Sequence, residues 1–381
     1  MRMLINTAST FKGGGVQVAL SFLHELQAYD SDEFHVFLSE PVGKQISKKE
    51  YPNNFHFYSV PFRPGSGIKT LFKVRRFLQE SEKKIQPDCV FTTTGPSYWR
   101  PSVPHLCGYN LPHHIYPESP YFDDLPIKSR FNWFLKRKLW QHWFAKEADA
   151  FVVQTEDVNQ RLRTLINTDQ VYTVSNTCSH FFGDTDKKSN KKSFLPPKKE
   201  NEFRLLSIGA HYPHKNLDII NEIAPELVNL QTENKIHFVL TLPEKIYQDS
   251  FTKEAKQIIF NVGPQQLENC PQLYSETDAL FLPTLLECFS ASYAEAMAMG
   301  KPILTSDLGF AHTVCKDAAL YFNPKNPVDI VDKIQLLIEK PQIISELTIK
   351  GKDVLKELNN TKERAEKYLN ICENLVKSFN K

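Results

Sequence analysis

Two glutamates eight positions apart, Glu287 and Glu295, sit in a stretch whose residue types could hold a phosphorylated, hydroxyl-rich ligand. The apolar run over 278–283, closed by Pro283, predicts a buried strand, and a loop carrying Glu287 follows it. Ser290 and Ser292, on either side of Ala291, then offer capping hydroxyls to a segment rich in Ala, Met and Glu. Gly300 stops that helix, and Lys301-Pro302-Ile303-Leu304 begins another buried strand. One carboxylate is therefore expected on a loop and the other inside a helix. A helix N-terminus presents free N–H groups and partial positive charge, which suits phosphate. Ligands of open α/β sheets sit outside the carboxyl ends of the strands, where this loop would lie. Carboxylates flanking a bound diphosphate could take ribose hydroxyls on one side and sugar hydroxyls on the other. Spacing alone is satisfied equally well by two solvated glutamates, because Glu is a common helix residue.

The run Glu287-Cys288-Phe289-Ser290, continued by Tyr293-Ala294-Glu295-Ala296-Met297-Ala298-Met299-Gly300-Lys301-Pro302-Ile303, resembles the E-x7-E signature of retaining glycosyltransferases of family 4. That resemblance implies an α/β chain of GT-B fold, two Rossmann-like domains facing across a cleft. It places Glu287 on the donor sugar, Glu295 on the ribose, and the backbone at Phe289, Ser290 and Ala291 on the diphosphate. Cys288 and Ser290 stand where small residues, often glycine, are usual. The segment from Gly209 to Lys215 resembles the family's G-R-x4-K, which gives Lys215 a phosphate role. Ala210 occupies the place of the usual arginine, with His211 next to it as a candidate substitute. Val262, in the turn at 261–263, falls where relatives hold the nucleobase through backbone groups. The glycine loop over 10–15, with Gly14 and Gly15, is similar to the donor or acceptor loop after the family's first strand. A sugar-contacting histidine is expected near 108–114. Tyr109-Asn110 takes the matching place and His113 and His114 follow, so Asn110 or His113 is the candidate contact to sugar or acceptor. No protein nucleophile, cofactor or metal is expected. The donor would be a UDP- or GDP-sugar and the acceptor a glycan or polyprenyl-linked molecule of bacterial surface polysaccharide synthesis.

The elements that must position these residues read as two repeats of one pattern. With 381 residues and 41% apolar content, the chain can bury two cores of ordinary size. The expected division is 1–182, a Lys/Pro-rich linker over 183–202, a donor domain over 203–358, and a last helix over 359–381 returning to the first domain. A strand at 2–7, the glycine loop and a helix over 16–26 open the first half. Its spacing is not GxGxxG and no convincing acidic partner follows the next strand, so dinucleotide binding is a poor reading. A strand at 204–208, a loop to Asn216 and a helix from 217 open the second half. Asp184-Thr185-Asp186, set among lysines in the linker, reads as solvated charge and not as a metal site.

A net charge of +2 gives no global argument for nucleic acid. The seven cysteines are odd in number and scattered, with no CxxC, which fits a reducing compartment better than a disulfide framework. Neither a signal-peptide core nor a membrane-length apolar run is present, so a cytoplasmic protein, at most peripheral to the inner face of a membrane, is expected. The segment over 126–146 mixes Phe131, Trp133, Phe134, Trp140, Trp143 and Phe144 with basic residues, the composition of an interfacial helix. Its residues at 131, 134, 135, 139 and 142–143 also have core spacing, which predicts inward packing of that face. The basic helix over 68–84, with a stripe at Leu71, Phe72, Arg75 and Leu78, reads as a solvated face. A non-catalytic nucleotide-sugar-binding partner of another transferase, or another GT-B enzyme such as a sugar-nucleotide epimerase, is the alternative.

Overall fold

A computed structural model describes residues 1–11, 13–183, 193–229 and 235–379. Asp184-Thr185-Asp186 and the lysines next to it lie outside the described residues. The chain divides into two compact units. The first comprises residues 1–117, 125–176 and 359–381, and the second comprises 118–124 and 177–358. The boundary thus falls before the expected 182, and 118–124 leaves the first domain for the second. Contacts explain both shifts: Phe182 packs 5.7 Å from the Tyr274 ring, and Ser119 hydrogen-bonds the Leu285 carbonyl.

The first unit is built on seven parallel strands: β1 (Arg2–Asn6), β2 (Glu33–Leu38), β3 (Phe55–Ser59), β4 (Cys89–Thr92), β5 (His105–Gly108), β6 (Ala150–Val153) and β7 (Val171–Thr173). They lie in the order β3-β2-β1-β4-β5-β6-β7. Helices on both faces of a parallel sheet bury its central strands, which is why those strands read as continuous apolar runs, while the edge strands β3 and β7 are partly exposed. Met3, Leu4, Ile5, Val90 and Phe91 are all buried. The helix Gly14–Glu25 turns Val16, Ala19, Phe22 and Leu23 onto the sheet, an i, i+3, i+6, i+7 stripe. The last helix, Thr361–Phe379, joins this unit although it ends the chain. Its Tyr368 ring packs 5.5 Å from Phe22 and 4.9 Å from Phe91, and its buried Arg364 donates to Asn176 and to Ser21.

The second unit repeats the plan with six parallel strands: β8 (Glu202–Ser207), β9 (Lys235–Leu240), β10 (Ile259–Asn261), β11 (Ala279–Leu282), β12 (Ile303–Ser306) and β13 (Ala319–Phe322). Their order is β10-β9-β8-β11-β12-β13. In each unit the first strand in sequence has a neighbour on either side, because the chain winds first one way and then the other. The pairs β1/β4 and β8/β11 are therefore the topological switch points, where open α/β sheets leave a crevice for ligands.

Two helices depart from their sequence patterns. In Ile127–Phe144 the apolar residues at core spacing are exposed: Phe131, Phe134, Leu135, Leu139 and Trp143 are 45–65% accessible. The inward face is carried by Trp133, Trp140 and Phe144, with Trp140 stacked 4.3 Å from His114 and 4.4 Å from Phe144. This helix has apolar side chains all round, so periodicity could not choose between faces. In Ile68–Ile85 the buried apolar stripe is Val74, Leu78 and Ile85, while Phe72 is exposed.

Candidate functional site

The loops at the second unit's switch point carry Lys215 and Glu287. After β8 the chain runs through Gly209, whose N–H donates to Thr241 Oγ1 at 3.1 Å, to a tight turn at Pro213–Lys215. After β11 it runs through Thr284 and Leu285, which clamp this turn. Leu285 N–H and the Thr284 hydroxyl both donate to the His214 carbonyl, at 2.7 and 3.0 Å. Burial beside the Lys215 ammonium holds the His214 imidazole well down, at about 4, so it is neutral at physiological pH. Ser119 Oγ donates to the Leu285 carbonyl at 2.6 Å, which ties the 118–124 segment into this unit. Held in this way, Lys215 Nζ and the Glu287 carboxylate form a direct, largely buried ion pair. A lysine presents a compact point charge suited to phosphate, and its carboxylate partner fixes where that charge points.

The helix Ala291–Ala298 starts two residues after Phe289, with Ser290 as N-cap in extended conformation. The Ser290 hydroxyl makes no capping hydrogen bond; Tyr293 N–H donates to the Ser290 carbonyl at 3.2 Å, and the N–H groups before it are left for another acceptor. Glu295, one turn into this helix, is buried. Tyr274 lies against it, with its hydroxyl 3.1 Å from Glu295 Oε2 and 3.2 Å from the Ser292 carbonyl. Burial pushes the Glu295 carboxyl up to about 7, against the opposing pull of Tyr274 and Lys215. When Glu295 is protonated it can donate to the Tyr274 oxygen, and the phenol is free to donate to Ser292. When it is ionised, the single phenol proton must serve both acceptors.

Phe289 is half-buried and Ser290 buried on the same loop as Glu287. His211 hydrogen-bonds Asp218 at 2.9 Å, so in this arrangement it serves that carboxylate. Val262 follows edge strand β10; its N–H donates to Leu240 O at 2.9 Å and its carbonyl accepts from Gln265 at 2.9 Å. The carbonyl's second lone pair is what remains for a ligand.

In the first unit, Gly15, Thr94 and Asn110 come together beside the β1/β4 switch point. A Cβ on Gly15 would lie 3.3 Å from Thr94 Oγ1 and 3.7 Å from Asn110 Nδ2, while Gly14 is surrounded by open space. The glycine whose backbone demands it is Gly13, at φ 59° and ψ −146°. His113 lies on the short helix Pro112–Ile115, where its ring stacks on Trp133 at 5.1 Å. Sequence reasoning missed Tyr274, Thr284 and Ser119, whose roles depend on contacts between distant segments.

Residues 188–367 match the family model described as glycosyl transferases group 1. Over 185 residues the chain is 29% identical to the O-antigen chain mannosyltransferase RfbU of Salmonella typhimurium, an alignment covering 46% of this chain. It spans about half, 51%, of that relative's length. Among solved structures, sucrose-phosphate synthase from Thermosynechococcus elongatus superposes with a TM-score of 0.73 at 14% identity, covering 99% of this chain and 100% of that one. Anabaena Alr3699/HepE, solved with UDP and glucose, gives 0.62 at 14% identity, covering 100% and 99%. The fold is GT-B. Among the described residues no helix is long and apolar enough to cross a membrane.

Proposed function

We propose that this protein is a retaining glycosyltransferase that moves a sugar from a nucleoside-diphosphate sugar, UDP- or GDP-linked, to a glycan or polyprenyl-linked acceptor in bacterial surface polysaccharide synthesis. The observation that carries the reading is the Lys215–Glu287 pair at the β8/β11 switch point, beside an uncapped helix N-terminus with Glu295 one turn inside. The similarity to an O-antigen mannosyltransferase supports the polysaccharide setting.

In this reading the first-turn amides and Lys215 take the diphosphate, Glu287 the sugar hydroxyls and Glu295 the ribose. The bond from the anomeric carbon to the phosphate oxygen breaks, and the nucleoside diphosphate leaves with the electron pair. The acceptor hydroxyl forms the new bond on the same face and passes its proton to a phosphate oxygen. Lys215 and the amides stabilise the charge that builds on the leaving group, which is electrostatic catalysis without a metal. Asn110 and His113 on the first unit are the candidate contacts to sugar or acceptor. The exposed face of Ile127–Phe144, a helix with no acidic residue, would rest on an anionic membrane surface that presents a lipid-linked acceptor.

The test is a thermal-shift screen with UDP, GDP, ADP and their common sugar conjugates, followed by donor turnover. A nucleotide-specific shift that Lys215→Ala abolishes, with turnover, supports the reading. Binding without turnover would make the chain a nucleotide-sugar-binding partner, the reading that Ala210 favours. No shift with any nucleotide would overturn both.

A further inference from the structure

Three metal-ligating side chains meet on the sheet of the first unit, away from every residue assigned above. His35 on β2 and His56 on edge strand β3 are direct register partners. Glu33 precedes His35 by two positions, and the two-residue period of a strand puts all three on one face. His35 Nε2 lies 3.1 Å from Glu33 Oε1, and His56 Nε2 lies 3.3 Å from that same oxygen. The two imidazoles stack at 4.7 Å. One ligand atom from each residue falls within 4.8 Å of the others. Metal–ligand bonds of about 2.0–2.2 Å in a tetrahedral zinc site leave neighbouring ligand atoms roughly 3.3–3.5 Å apart, close to the 3.1 and 3.3 Å from Glu33 Oε1 to the two imidazoles.

The surroundings are those of a supported site. Tyr58, two residues beyond His56, places its hydroxyl 2.9 Å from His35 Nδ1, which fixes the ring and leaves Nε2 facing the cluster. Arg2 Nε donates to Glu33 Oε2 at 2.7 Å, so Oε1 remains the oxygen turned towards the histidines. A cavity of about 410 Å³, lined by Arg2, Glu33, His35, Tyr58, Ser81 and Lys84, opens beside them.

We propose that Glu33, His35 and His56 bind one divalent transition-metal ion of the zinc type, with the fourth position open to water or a small anion from this cavity. Two imidazoles and one carboxylate are a donor set for Zn²⁺, Co²⁺ or Ni²⁺ rather than for Mg²⁺ or Ca²⁺. The ion would carry +2 beside Glu33, whose charge Arg2 already pairs, and Lys84 adds positive charge on the cavity wall, so the open position favours an anionic ligand. The site has no part in sugar transfer. It clips the edge strand β3 to β2 and so stabilises the first unit.

The experiment is a titration of tag-free, metal-stripped full-length protein with Zn²⁺ by calorimetry and thermal shift, with Co²⁺ as a visible-absorption probe and Mg²⁺ as a control. One Zn²⁺ per chain, and a rise of roughly 5–10 °C in the first unit's transition at hundredfold excess over the dissociation constant, are expected. His56→Gln, at a half-exposed position, should lose the binding and leave the metal-free melting temperature nearly unchanged. Glu33→Gln should weaken binding by about tenfold or more. Absence of stoichiometric Zn²⁺ binding, binding that both variants retain, or an equal response to Mg²⁺ would overturn the proposal.

Discussion

Glu295 offers a test that needs no substrate. Its carboxyl is buried and titrates near 7, against 4.5 for the ordinary group. Between those values the folded protein holds a proton that the unfolded chain has released, so stability falls as pH rises through that window. Below 4.5 both states are protonated and no penalty exists; above 7 the penalty is complete. At about 1.4 kcal/mol per pH unit, the full effect is about 3 kcal/mol. Glu295→Gln keeps the shape and the contact to Tyr274 but cannot ionise. The variant should match the wild type near pH 4.5 and exceed it at about pH 8, by roughly 6–12 °C for a unit of this size. Glu147 in the first unit also titrates near 7 because it is buried, and it adds a pH dependence of the same sign. The informative quantity is therefore the difference between variant and wild type, followed by calorimetry across that pH window. A difference that stays flat with pH would refute the argument, because Glu295 would then be ionised at little cost.

Lys215→Ala should weaken nucleoside-diphosphate binding about 10- to 100-fold, the worth of a charge-assisted contact, as measured by calorimetric titration. Gly108→Ala should cost about 3 kcal/mol or more in a denaturant titration, because a Cβ there would lie 2.3 Å from the Thr93 carbonyl oxygen. Replacing Phe131 and Trp143 together by Ser should reduce co-sedimentation with anionic vesicles and leave the melting temperature within a few degrees, since both are exposed; unchanged sedimentation would remove the membrane contact.

The repeated strand–loop–helix plan is legible in the sequence because parallel strands buried on both faces must be apolar throughout, and their ends are punctuated by Gly and Pro. The loop of Glu287 is legible for the same reason. Which partner each side chain finds is not. Glu295 owes its altered acidity to burial, opposed by a hydrogen bond from Tyr274, 21 positions earlier, and nothing local in the sequence marks either. The helix Ile127–Phe144 resists reading in another way, because apolar residues on every face make its period uninformative. The His35–His56 pair depends on the register between two strands, which a one-residue slip would break.

The switch points connect these observations. A parallel α/β sheet wound in both directions from its first strand leaves one place where successive loops diverge, and in each unit that place carries a glycine-containing loop. In the second unit the Lys215–Glu287 ion pair joins the two loops that meet there. If that pair serves only to fasten the loops, Glu287→Gln should destabilise the second unit and leave nucleotide affinity alone. If it presents Lys215 to a diphosphate, the same substitution frees the lysine from its partner. Affinity for the bare nucleoside diphosphate should then hold or rise, while affinity for the sugar conjugate falls because one of the two carboxylate oxygens open to its hydroxyls becomes an amide NH2 donor. A parallel titration of Glu287→Gln with the diphosphate and with its sugar conjugate separates the two, and equal changes for both ligands would sink the assignment of Glu287 to the sugar.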